Sequence, residues 1–214
     1  MKIKATVGAA LLLIGTSALA DPTTWSGSAI NFGDQVWTSL RGTVNTAEII
    51  GNNTSPSGSF AAFCAEIDAG YTTPFSGQSV AVSGAQADLL SKLFTGAGWK
   101  SWSHTTDAVS TKAQITALQV GVWEILNDAT FDVTSGSFNI NSDSNVASIS
   151  ATLSTWMSAG NTGMAGDIYR ITDNVGQGLG SQDLIIAVPE PSTYALMIAG
   201  LAAVGFVARR RKSV

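Results

Sequence analysis

The 214-residue chain has a single cysteine, Cys64, and a single histidine, His104. No disulfide can close within it, and no zinc site of Cys/His spacing can be assembled. Charge is scarce as well, at 12% of residues. Between residues 21 and 188 five bases (Arg41, Lys92, Lys100, Lys112, Arg170) face fourteen acids, a balance of −9. A stretch that acidic repels phosphate backbones and offers no basic patch to anionic lipid, which argues against nucleic acid and lipid headgroups as partners. No internal repeat is visible, and beyond the Ser/Asn-rich turn at 134–145 no low-complexity tract. Hydrophobic residues make up 45% of the chain. That is apolar material for a sizeable core, and it argues against disorder.

Part of that apolar content sits at the two ends. Residues 1–20 have the three parts of a secretory signal. Lys2 and Lys4 are the positive segment, Ala5 to Ile14 the apolar one, and Ala18-Leu19-Ala20 the small-x-small cleavage site. Asp21 is then the expected mature N-terminus. At the other end, Pro189-Glu190-Pro191 is stiff and extended, because proline fixes its own φ and biases the residue before it. Ser192 to Ala208 is uncharged, about seventeen residues and so near the lower limit for a bilayer-crossing helix. Arg209, Arg210, Arg211 and Lys212 would stop transfer and stay cytoplasmic.

Proline-Glu-proline, an apolar helix and a basic cluster in that order resemble the PEP-CTERM sorting signal of Gram-negative bacteria. The resemblance spans residues 188–214. It implies export by the Sec machinery and transient anchoring in the inner membrane with the C-terminus cytoplasmic. It also implies recognition of Pro189, Glu190 and Pro191 by an exosortase, and release to the cell surface or extracellular matrix.

The middle, 21–187, reads as one extracytoplasmic domain. Residues 25–50 alternate and are rich in β-formers, broken by Gly51-Asn52-Asn53 and Pro56-Ser57-Gly58, which predicts two or three strands. Ser59 to Ile67 predicts a buried strand, and Gln78 to Val82 a short one. The period then changes. Ser83 opens a helix with Ala87, Leu90, Leu93 and Phe94 on one face, ending near Gly96. Ser110 or Thr111 caps a second helix striped by Ile115, Leu118, Val122, Trp123, Ile125 and Leu126. A third helix covers about 144–158, and strands at 168–172 and 183–188 close the domain. The fold class expected is α+β, with β-sandwich or barrel-like strands and a helical insertion.

Two segments stand out for chemistry. Phe63-Cys64-Ala65-Glu66 lies on the predicted buried strand, and Leu118-Gln119-Val120-Gly121-Val122-Trp123 on the second helix. Gln119 borders the apolar stripe, where its amide needs a partner. The pair resembles the Cys–Gln thioester domains of bacterial surface adhesins, over about residues 25–185. That resemblance implies that the Cys64 sulfur displaces ammonia from the Gln119 carboxamide, leaving an internal thioester that an amine or hydroxyl opens. The protein would then be a single-turnover acyl donor rather than an enzyme. It would need no cofactor or metal, and its targets would be surface amines. Gly121 stands where that family has alanine, and should weaken the helix by about 1 kcal/mol.

Other combinations are weaker. Cys64 with His104 has no thiol-hydrolase signature around either residue. Glu66 and Asp68, two apart on one expected strand face, lack calcium-loop spacing. Trp99 and Trp102 could stack sugars, but tryptophans after a helix more often cover a core. The second function class is a non-covalent structural component of an exopolysaccharide matrix, and the third a secreted hydrolase.

Overall fold

The computed structural model describes residues 23–54, 57–71, 75–99, 111–162, 167–173, 182–188 and 199–202. The signal segment 1–20, the tripeptide 189–191, the basic cluster 209–212, and Trp102 and His104 lie outside these residues.

Strands come first because the N-terminal half alternates. β1 (Thr23–Thr38) and β2 (Gly42–Thr54) form one long hairpin, followed by β3 (Ser57–Cys64) and β4 (Phe75–Ala81). Where the period turns helical, α1 (Gly84–Gly96), α2 (Lys112–Asn127) and α3 (Val146–Ala159) follow, and β5 (Asp167–Asp173) and β6 (Leu184–Val188) end the domain. All strand pairs are antiparallel, and the six close into a barrel in the order β1-β2-β3-β6-β5-β4. Closure comes from Thr23–Trp25 pairing with Phe75–Gly77. The α+β class with a helical insertion is therefore present, with the strands as a barrel and not a sandwich.

Alternation along the strands sorts two cores. Ile49, Phe60, Ala62, Ile171, Leu184 and Ile186 come from strands alone and fill the barrel. Ala61, Phe63, Ile168, Ile185 and Ala187 point outward and join Leu93, Phe94, Ile115, Leu118 and Leu153 in the layer between barrel and helices.

Local chemistry explains the helix ends. Thr111 caps α2 with a capping box, its hydroxyl accepting from the Gln114 N–H while the Gln114 side chain accepts from the Thr111 N–H. After α1, the Gly98 N–H donates to Thr95 O and the Trp99 N–H to Phe94 O. Gly98 has φ +67°, the left-handed turn that glycine adopts freely, and this turn folds Trp99 back into the core. Gly121 has a packing reason to be glycine. A Cβ there would meet Leu153 Cδ2 and Leu93 Cδ2, each at 2.9 Å, so α2 needs a side-chain-free position where α1 and α3 cross it.

One expectation changes. Glu66 and Asp68 are not on a strand, because β3 stops at Cys64 and both acids lie in the loop beyond it. No described helix is long and apolar enough to cross a membrane; residues 199–202 are helical and exposed, and the rest of the expected span lies outside the described residues.

Candidate functional site at the end of strand β3

β3 runs antiparallel to β2 as far as the pair Glu48↔Phe63, and there the ladder stops. The next peptide, that of Cys64, is completed by a side chain from α2. The Cys64 N–H donates to Gln119 Oε1 at 3.0 Å, and Gln119 Nε2 donates to Cys64 O at 2.8 Å. A primary amide carries one donor and one acceptor side by side, as a peptide does, so Gln119 stands where a further β2 residue would have paired. Gln119 is fully buried. The structure thus brings Cys64 and Gln119 together, with the amide on the Cys64 peptide.

On β3, Cys64 alternates with Phe60 and Ala62, whose side chains fill the barrel. Its side chain is half-buried and its thiol is free. Burial pushes that thiol up to about 12, with its own backbone N–H working in the opposite direction. At neutral pH the sulfur is therefore a protonated thiol.

The surroundings on the helix side are aromatic. The Phe63 ring lies 5.1 Å from Trp99, and Phe94 lies 4.5 Å from the same indole. Trp99 Nε1 donates to the buried Glu48 carboxylate at 2.8 Å, and Asn31 Nδ2 reaches its other oxygen at 3.4 Å. Trp99 thus serves the core and presents no platform for a sugar.

Loop 65–71 is held to the barrel by ionic and backbone contacts. Arg170 Nε donates to Asp183 Oδ2 at 2.7 Å, and its NH2 group contacts Glu66 Oε1 at 3.1 Å. The Gln182 N–H donates to Gly70 O at 3.1 Å, and the Gln182 side chain donates to Glu66 O. Between this loop and β2 runs a groove of about 410 Å³, with Cys64 and Trp123 among its lining residues.

Sequence reasoning missed two buried acids, and both had a signal. Glu48 lies between Ala47 and Ile49 on a strand, and Glu124 between Trp123 and Ile125 on a helix. An acid inside an apolar run needs a partner when buried. Glu124 Oε1 accepts from the Asp132 N–H at 2.7 Å, while Glu124 Oε2 and the adjacent Trp123 Nε1 are buried without a hydrogen-bond partner among the described residues. Burial pushes the Glu124 carboxyl up to about 7, opposed by the Asp132 N–H and reinforced by the negative charges of Asp128 and Asp132. Among the described residues no cluster of three or more His, Cys, Asp or Glu side chains could hold a metal.

Comparison with known proteins bears on the C-terminal end of the chain. No curated protein and no solved structure matches it. Residues 187–212 match the PEP-CTERM protein-sorting motif. The chain carries a PEP-CTERM sorting motif at its C-terminal side, and this marks it as an exported, cell-surface-directed protein processed by an exosortase.

Proposed function

We propose that the exported domain is a covalent surface adhesin that stores an acyl group as a thioester between Cys64 and Gln119. In the forming step the Cys64 sulfur adds to Gln119 Cδ. The Sγ–Cδ bond forms, the Cδ–Nε2 bond breaks, and the thiol proton leaves with nitrogen as ammonia. In the using step an amine on a target surface attacks the same carbon. A C–N bond forms, the C–S bond breaks, and a proton from the amine returns the sulfur to a thiol.

The observation that carries this reading is the two-point pairing of the Gln119 amide with the Cys64 peptide. It fixes the amide plane beside the residue that owns the nucleophile. It also aims a backbone N–H at the carbonyl oxygen on which charge develops during addition, as an oxyanion-hole donor does. The reading asks the sulfur to turn toward Cδ about the Cys64 Cα–Cβ bond. The thiol's high pKa leaves the sulfur protonated at neutral pH, so the forming step must also remove that proton, which passes to the departing nitrogen.

Intact-mass analysis of the purified chain tests this. The expected mass is one ammonia below the sequence; methylamine treatment should add one methylamine to that lowered mass, leaving it one CH2 above the sequence, and free one thiol. Cys64→Ala and Gln119→Ala should each remove both behaviours. An unmodified mass in every preparation would sink the proposal.

A second reading is favoured by the same contact. The amide already has both of its peptide partners, as a purely structural glutamine requires. The pair would then be a clamp inside a non-covalent component of the surface matrix.

A further inference from the structure

Directly opposed residues on antiparallel strands share a face of the sheet, so the register says what the barrel's inner face carries. Ile49 and Ala62 are opposed and fill the barrel, and Cys64 is opposed to Leu184, which fills it too. Ile30 is opposed to Ile49, and Phe32 to Ala47. Ile30 and Phe32 therefore lie on the same inner face, yet they are 43% and 56% exposed. The cause is the length of the hairpin. Pairing of β2 with β3 reaches only Glu48↔Phe63, while β1 and β2 stay paired as far as Thr38↔Gly42. The hairpin thus projects past the barrel as a ribbon. One face of the ribbon is packed on the helices: Val36 and Val44 join that core, and Thr46 Oγ1 lies 3.2 Å from Thr116 Oγ1. The other face opens as a wall of the groove.

The groove, about 410 Å³, lies at the mouth of the barrel, and both its size and its place are usual for a ligand site. Its polar groups are of mixed kind. Gln35 Nε2 donates to Asn45 Oδ1 at 3.0 Å across the ribbon. That leaves the Gln35 carbonyl oxygen and the Asn45 amide nitrogen without a partner among the described residues. At the rim Arg41 and Asp68 are both exposed, and neither side chain makes an ion pair or hydrogen bond among the described residues. A donor, an acceptor, a cation and an anion thus stand around an apolar wall with an open aromatic ring.

We propose that this barrel mouth binds a neutral oligosaccharide. Every sugar hydroxyl both donates and accepts, so a sugar can use Arg41, Asp68 and the two amides together. Its C–H face can lie on the Phe32 ring, whose π-face carries the negative part of the quadrupole. Other occupants fit less well. A polycation meets Arg41, and a polyanion meets Asp68 and a domain with an excess of nine acids over bases. A lipid chain would cover Ile30 and Phe32 but strip water from the charged and amide groups without replacing it. A peptide strand laid along β2 is stopped at Ala47, because Gln119 already holds the Cys64 peptide that faces it. The inference goes beyond the thioester reading and does not rest on it.

The test is isothermal titration of the full chain, in a mild detergent without a sugar headgroup, with neutral hexasaccharides of glucose, mannose, galactose and N-acetylglucosamine. At least one should bind saturably with a Kd of about 1 mM or below. Its affinity should change less than about two-fold between low and high salt, since no charge is paired on the ligand. Phe32→Ala should weaken binding about ten-fold by removing the stacking face. Asp68→Asn and Arg41→Gln should each weaken it several-fold. These side chains are exposed, so the urea midpoint of each variant should match the wild type and show that the fold is kept. No saturable binding of any of these sugars would overturn the proposal, as would binding that Phe32→Ala leaves unchanged. Tighter binding of hexalysine or hexagalacturonate than of every neutral sugar would overturn it too. The thioester reading survives or fails separately, on intact mass alone.

Discussion

Replacing Glu124 with glutamine should make the stability of this domain less sensitive to alkali. Glu124 is fully buried in the last turn of α2, where the helix's negative end disfavours a carboxylate. One oxygen has the Asp132 N–H, the other has no partner among the described residues, and Asp128 and Asp132 add negative charge nearby. Its carboxyl is raised from 4.5 to about 7, so the folded chain holds this proton more tightly than the unfolded chain. A raised folded value gives a contribution fully present below pH 4.5 and lost as pH climbs through about 7. The full swing corresponds to roughly 3 kcal/mol. Glutamine keeps the acceptor for Asp132 and cannot ionise. Urea unfolding of both proteins at pH 4, 5.5, 7 and 8.5 measures the difference. The variant should gain on the wild type steadily between pH 4.5 and about 7.5, by as much as about 2–3 kcal/mol at the alkaline end. A stability difference that stays flat across this range would show that Glu124 is ionised at no cost, and would refute the reasoning.

Four further outcomes follow from contacts already described. Gly121→Ala should lower the urea midpoint, by about 1–3 kcal/mol of overpacking against Leu93 and Leu153, although helix propensity alone would raise it. Gln119→Leu should cost about 2–4 kcal/mol in the same assay, since it strands the Cys64 N–H and C=O in a buried place; an unchanged midpoint would mean that water replaces the amide. If the thiol is free, its alkylation by iodoacetamide at pH 8 should be roughly 10³-fold slower than that of an ordinary cysteine, because burial holds it at about 12. Thr111→Ala should lose the capping box and about 1 kcal/mol, visible as a lower midpoint that Thr111→Ser restores.

Features with a short-range chemical cause could be read from the sequence. Thr111 followed by Gln114 signals the start of α2, and the alternation in residues 25–50 signals strands. The glutamine beside the α2 stripe needed a buried partner, and Cys64 provides it through its peptide. What could not be read depends on distant chain meeting distant chain. Closure of the barrel by Thr23–Trp25 against Phe75–Gly77 has no local signature. The end of β3 has none either, because Ala65 to Ile67 would continue a strand by pattern; it ends where Gln119 takes the place of a β2 residue. Gly121 reads as a weak point in a helix taken alone, and becomes a requirement only when two neighbouring helices press their leucines on it. The signal, the tripeptide Pro189-Glu190-Pro191 and the basic cluster concern sorting, which the folded domain does not touch on.

The single amide of Gln119 has a consequence for how the molecule comes apart. It makes the inserted helices a chemical part of the barrel, since β3 completes its last peptide only with a group from α2. Peeling the helical layer away would expose Phe63 and orphan that peptide at once, so there is little room for a half-open species with an intact barrel. In hydrogen-exchange terms, the Cys64 amide hydrogen belongs with the slowest in the domain, released when the two layers melt as one cooperative unit and not by fraying at the strand's end.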